Sequence, residues 1–295
     1  MTSSNYRTVL AFQIKAIQDR TVAVENAKIT ILVDNQAAQG LAAEHGLSMW
    51  IEAGPLRILF DTGQGAALPV NAAKLEIGLD QADVLFLSHG HYDHAGGVSH
   101  VLSVNPKISV YCHPKAVQLR CSLSGGCARF IQMPDKSISA LNRLPFCDMH
   151  WIERQVMISP DIGITGSIPR YTDFEDTGGP FFLDPEGRIA DSIIDDQALW
   201  INTLQGLVVC VGCCHSGLIN TLEHVRRLSG VSAIRAVIGG FHLVNADENR
   251  MARTILALRS ISPEMLVPCH CTGEKAMREL EKAFVNRVFS AKAGQ

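Results

Sequence analysis

The chain has 295 residues, 47% of them hydrophobic and 19% charged, with a formal charge of −3 at neutral pH, enough apolar material for a large core in one or two domains. Its basic residues are scattered rather than gathered into a stripe, which argues against nucleic acid as a partner, and no run of about 18 apolar residues is present to span a membrane. Residues 1–18 lack the basic start, apolar stretch and small-residue cleavage site of a secretory leader, and the nine cysteines form no spaced disulfide framework, so a cytoplasmic location is expected.

Strands and helices alternate along most of the sequence. Residues 28–33 form a β-branched run that ends at Asp34-Asn35, a strand entering a loop. Residues 49–53 and 56–60 flank Gly54-Pro55 and read as a hairpin. The apolar run 83–87 is a buried strand whose carboxyl end delivers a histidine-rich segment. A strand over 107–112 and a helix over 114–122 follow. From about 122 to 195 the pattern loosens around Gly125-Gly126, Gly178-Gly179-Pro180 and Asp184-Pro185, with a strand near 157–164. This stretch reads as an irregular insertion, either substrate-facing or a surface elaboration without a role. Order returns with a hairpin (198–203 and 207–211), a helix (218–228), a strand (233–238), a helix (247–259), a strand (265–268) and a last helix (274–284).

The chemistry concentrates at Ser88–Gly97, Ser-His-Gly-His-Tyr-Asp-His-Ala-Gly-Gly. His89, His91, Asp93 and His94 offer imidazole nitrogens and a carboxylate, ligands that zinc-like ions accept at about 2.0–2.2 Å. On a loop leaving a strand, neighbouring side chains can serve two ions, and the glycines supply the backbone freedom this needs. The spacing differs from the i, i+4 histidine pair of a helical zinc motif.

The strand followed by His-x-His-x-Asp-His resembles the metallo-β-lactamase superfamily, and Leu59-Phe60-Asp61-Thr62-Gly63 is similar to its upstream Asp-Thr-Gly element. The segments Glu44–Ser48, Thr165–Arg170, Gly212–Gly217 (Gly-Cys-Cys-His-Ser-Gly), Gly239–Leu243 (Gly-Gly-Phe-His-Leu) and Pro268–Gly273 (Pro-Cys-His-Cys-Thr-Gly) stand in order. Together they resemble the branch named for the archaeal 7,8-dihydropterin synthase, which also includes many metal-dependent hydrolases. The resemblance covers about residues 28–284. It implies an α/β fold, a four-layer α/β/β/α sandwich of the metallo-β-lactamase type, as a single domain over 1–295 with an N-terminal extension over about 1–27 and the insertion at about 122–195. It also implies that His215 completes a set with His89 and His91, and that His270 joins Asp93 and His94. Most binuclear relatives carry a bridging Asp where this chain has Cys213-Cys214-His215, so no bridging ligand is assigned, and no middle histidine stands out near 161–166.

Around these ligands, Asp61 ends a strand and either fixes a ligand histidine by accepting its second ring N–H or merely makes a turn. His242 either meets substrate, supports a ligand from behind or sits satisfied in the core. His45 reaches substrate if its loop covers the pocket, and otherwise lies on the surface. Arg170 suits an anion clamp, since guanidinium matches carboxylate or phosphate in a fork, or is a structural surface residue. The cysteines beside His215 and His270 read as small buried residues, with thiolate ligation, which suits a tighter structural zinc, as the less favoured alternative.

The cofactor expected is a divalent metal, zinc as one or two ions, with manganese or iron as alternatives. The function expected is metal-dependent hydrolysis of a small anionic ester, lactone or phosphate by metal-activated water, with Asp93 as the catalytic carboxylate that orients it. Two alternatives remain: dihydropterin synthase-like chemistry on a phosphorylated pterin-type precursor, and a non-catalytic metal-bearing sensor. The partner expected is a small molecule, with neither nucleic acid nor membrane; homo-oligomerisation is left open.

Overall fold

The computed structural model describes residues 23–295. Of the N-terminal extension expected over 1–27, residues 1–22 lie outside the described residues. Strand β1 (Ala27–Val33) pairs antiparallel with β2 (Ser48–Ala53), which turns tightly into β3 (Leu56–Phe60). Helix α1 (Ala67–Lys74) leads to β4 (Val84–Phe86), the short helix α2 (Tyr92–Ala95), helix α3 (Val98–Val104) and β5 (Ser109–Cys112). A small sheet is then opened by β6 (Cys121–Ser124) and β7 (Cys127–Phe130), followed by helix α4 (Asp135–Leu141), β8 (Met149–Trp151), β9 (Arg154–Ser159) and β10 (Ile162–Gly166). After the short β11 (Phe181–Phe182) come β12 (Ala198–Thr203), β13 (Gly206–Val211), α5 (Leu218–Ser229), β14 (Ile234–Gly240), α6 (Glu248–Ile261), β15 (Met265–Cys269) and α7 (Glu274–Ala283).

Two six-stranded sheets result, ordered β1-β2-β3-β4-β5-β8 and β15-β14-β13-β12-β10-β9, beside a three-stranded sheet β11-β6-β7. The period-2 alternation of strand side chains decides what each sheet face touches. In β3, Ile58 and Phe60 point between the sheets, whereas Leu59 joins the cluster under Leu68, Val98 and Leu141 of α1, α3 and α4. In β13, Val208 and Cys210 face the other sheet, while Val209 and Val211 pack under Leu222, Met251 and Leu280 of α5, α6 and α7. With both faces of both sheets covered, the layers run α/β/β/α. The nearly continuous apolar character of β4 and β13 is what strands buried on two faces require.

The middle of the chain departs from expectation. The helix expected over 114–122 is only a 3-10 turn at Pro114–Val117, after which Gln118 is extended and β6 begins. Arg120 explains the break: it is fully buried, its Nε lies 3.0 Å from Asp191, and it pairs with Asp195, an arrangement a continued helix could not make. The segment read as irregular over 122–195 holds a helix and several strands. β8 extends the first sheet, and β9 and β10 extend the second.

Candidate metal centre

The parallel strands β3, β4, β13, β14 and β15 all end on one edge of the sandwich, and the residues singled out in the sequence follow those ends. Asp61 follows β3, His89–His94 follow β4, Cys213 and His215 follow β13, His242 follows β14, and His270 follows β15. Crevices beyond the carboxyl ends of strands are where open α/β sheets place their ligands.

Three donors come together from two loops: ring nitrogens of His89, His91 and His215 lie within 4.8 Å of one another. His89 Nε2 and His91 Nδ1 are 3.0 Å apart. His215 donates Nδ1–H to the Thr177 carbonyl at 2.8 Å, which leaves its Nε2 as a lone pair, buried and without a hydrogen-bond partner. A second group surrounds Asp93. Its Oδ2 lies 3.5 Å from His270 Nε2 and 4.0 Å from His94 Nε2, and the two imidazole nitrogens are 3.2 Å apart. Bonds of about 2.0–2.3 Å in a tetrahedral array set donor atoms about 3.3–3.8 Å from each other. The residues present therefore fit a zinc-like ion.

The outer contacts fix the ring orientations. Asp61 Oδ2 accepts from His94 Nδ1 at 2.7 Å, and Asp61 Oδ1 accepts the Ser88 backbone N–H at 2.7 Å. The Ser88 hydroxyl donates to Asp61 and lies 3.0 Å from His89 Nδ1, so one carboxylate orients two ligand rings. His270 is held by Asn35, whose Oδ1 lies 2.9 Å from His270 Nδ1, while Asp34 Oδ1 accepts the His270 backbone N–H. For His89 and His270 such contacts set the tautomer, so that Nε2 faces inward as a lone pair. Burial, with the neighbouring rings, pushes His89 and His215 well below the usual imidazole range. Burial likewise brings His91 down to about 3 and His270 to about 4. These rings are neutral, the form that ligates metal. His94 is the exception: burial opposes its charge, but the carboxylates of Asp61 and Asp93 outweigh it and raise His94 to about 9. Asp93 stays ionised, since His94 and the hydrogen bond from His45 overcome its burial.

The remaining candidates fall in different places. His45 is half-exposed and donates Nε2–H to Asp93 at 3.1 Å, at the mouth of a cleft of about 340 Å³. His242 lines the same cleft, its ring centroid 4.3 Å from that of His215. Arg170 does not reach the cleft: its Nη2 donates to the carbonyls of Ser192 and His215, so it braces the His215 loop and the anion-clamp reading does not fit it. Sequence reasoning missed Asn35 and Arg129 and, for Cys213, favoured packing over ligation. Cys213 Sγ lies 3.1 Å from His94 Nε2 and groups with His89 and His94, a donor position rather than plain packing. The signal was its place just past β13, at the point where the sequence resemblance leads one to expect a bridging Asp. Cys214 and Cys269 pack in apolar clusters. Asn35 was visible only as a strand-end Asp-Asn. Arg129 of β7 is the one Lys or Arg lining the cleft among the described residues, and it donates to Tyr92 Oη at 2.8 Å.

Residues 42–270 match the family described as the metallo-beta-lactamase superfamily. The chain belongs to that superfamily. Among curated relatives, an uncharacterised protein of Methanocaldococcus jannaschii is 34% identical over 257 residues, 86% of this chain and 94% of its own length. The 7,8-dihydropterin-6-methyl-4-(beta-D-ribofuranosyl)-aminobenzene-5'-phosphate synthase of the same organism is 30% identical over 285 residues, 88% of this chain and 94% of that protein. The crystal structure of Tm1679, described as a metal-dependent hydrolase of the beta-lactamase superfamily, superimposes with a TM-score of 0.77 at 29% identity, over 92% of this chain and 98% of that one. The four layers and the strand-end ligand loops are thus those of a metallo-beta-lactamase superfamily member.

Proposed function

We propose that this superfamily member is a metal-dependent hydrolase of small anionic esters, lactones or phosphates. The observation that carries this reading is the pair of donor groups beside an open cleft: the neutral imidazoles of His89, His91 and His215 in one, and His270 with the ionised Asp93 in the other. His89, His91 and His215, with Asp93 and His270 beside them, would hold a divalent ion such as zinc, which would supply Lewis acidity toward a carbonyl or phosphoryl oxygen and lower the pKa of water to about 7. The chain's own residues do the rest. Asp93 orients the attacking water through the carboxylate oxygen that His45 also contacts, and half-exposed His45 exchanges the released proton with solvent. Phe181 packs edge-on against His215, at 5.2 Å between ring centroids, and covers that side of the cleft with apolar surface. Arg129 takes the anion-binding role, as a guanidinium at the rim beside Tyr92.

The test compares metal-stripped and zinc-loaded protein on p-nitrophenyl esters, lactones and phosphodiesters. Turnover that requires metal is expected; equal rates in both forms would sink the proposal. With an anionic substrate, Arg129→Gln is expected to raise KM by about tenfold, the loss of one charge-assisted contact, with kcat little changed. A second reading rests on the synthase relative, 30% identical along nearly its whole length: chemistry on a phosphorylated pterin-type substrate. Assays of pterin phosphates with added zinc, manganese or iron separate the two.

A further inference from the structure

Three consecutive parallel strands, β13, β14 and β15, each deliver one more potential donor beyond the histidine–aspartate cage. Cys213, His242 and Cys271 bring two sulfurs and a ring nitrogen within 4.8 Å of one another. His242 is buried, and its Nδ1 has no hydrogen-bond partner. A histidine that merely filled core would satisfy that nitrogen. Its backbone is also held at φ 44°, in the left-handed region that non-glycine residues avoid, and such strain persists where the surroundings enforce it. Two glycines make the room. A Cβ on Gly178 would stand 1.9 Å from His242 Cδ2, and one on Gly240 would stand 2.6 Å from Cys271 Sγ. Cys213 in turn groups with His89 and His94, so it lies between the two sets of donors.

We propose that Cys213, Cys271 and His242 form a sulfur-rich metal position that adjoins the histidine–aspartate cage, shares Cys213 with it, and takes a thiophilic divalent ion such as zinc or iron(II). Thiolate and imidazole donors favour these ions, whereas magnesium and manganese prefer oxygen ligands. The centre therefore discriminates among metals through sulfur on one side and through Asp93 on the other. Ion capture here does not depend on which bond the enzyme cleaves.

Full-length protein, reduced and stripped of metal, is titrated with cobalt(II), and the near-ultraviolet sulfur-to-cobalt charge-transfer band is followed. The wild type is expected to develop the band. Cys271→Ser and His242→Ala are each expected to lower its amplitude and to weaken binding of the corresponding ion by about tenfold or more, the scale of losing a metal-site contact. Cys213→Ser is expected to abolish it. No band in the wild type overturns the proposal. So does a band unchanged in both Cys271→Ser and His242→Ala, which leaves Cys213 serving the cage alone. X-ray absorption of the cobalt-loaded wild type guards against variants that misfold: two sulfur neighbours support the shared site, and one or none refutes it.

Discussion

Asp61 serves the candidate centre by accepting from Ser88 twice and from His94 once while remaining wholly buried. In Asp61→Asn the amide nitrogen can no longer accept from His94 Nδ1, so the ring loses the carboxylate that orients it. Metal affinity is expected to fall about 10–100-fold, measured by chelator competition; unchanged affinity would remove Asp61 from this role. Asp196 illustrates the opposite use of burial. Its Oδ2 accepts the Ser216 backbone N–H at 2.7 Å, its Oδ1 has no partner, and burial pushes its carboxyl up to about 6. Because the unfolded chain ionises near 3.9, the folded state is favoured in full below that value, and this contribution is lost as pH rises through about 6. Asp196→Asn keeps an acceptor for Ser216 and removes the charge. The melting temperature of Asp196→Asn relative to the wild type is expected to be highest at about pH 8 and to drop toward about pH 4, a change on the order of 2 kcal/mol. The ligand run at His89–His94 was legible because its donors are close in sequence. Arg129 was not, and Cys213 read as packing first, because their roles arise only when loops from separate strands meet.

Among the elements, helix α1 shows how a loop far away in sequence can finish a structure. Its N-cap is Ala66, which has no side-chain acceptor, and Glu44 replaces it: Oε1 accepts from Gln64 N and Gly65 N, and Oε2 from Ala66 N and Ala67 N. The negative charge also complements the positive end of the helix. Glu44 is chained to the site through its neighbours, since His45 contacts Asp93 and Leu47 N donates to the Asp93 carbonyl. Glu44→Ala is expected to destabilise the fold by about 1–3 kcal/mol in urea unfolding and to weaken the His45–Asp93 contact; no change in stability would show the cap to be redundant. Strands and hairpins with local partners could be read from periodicity and turn residues, as with β2 and β3 across Gly54-Pro55. The middle of the chain could not. β8 pairs with β5, β10 with β12 and β11 with β6, and pairings of that separation leave no short-range signature.

At the scale of the whole molecule, the two sheets meet through an apolar layer of Ile51, Phe60, Phe86, Leu199 and Ile238. The donors straddle that layer: His89, His91, Asp93 and His94 hang from the first sheet, and Cys213, His215 and His270 from the second. A metal ion held by both donor groups would therefore link the two halves directly. Zinc at about a hundredfold over its dissociation constant is expected to add about 2.7 kcal/mol and to raise the melting temperature by about 5 °C, reversed by a chelator. Equal melting of the two forms would mean that the ion does not join the sheets.

Asp61, His242 and His270, each assigned above to the metal centre, hold left-handed backbone without being glycine, at φ between 44° and 56°. Each one costs folding free energy, on the order of 1 kcal/mol. A campaign that selects variants for heat resistance alone will find relief there, because glycine or asparagine at these positions relaxes the backbone. It will thereby enrich proteins that survive heating and have lost the geometry that grips an ion. Directed evolution of this chain should score metal retention alongside thermal survival, since at these three positions the two traits pull in opposite directions.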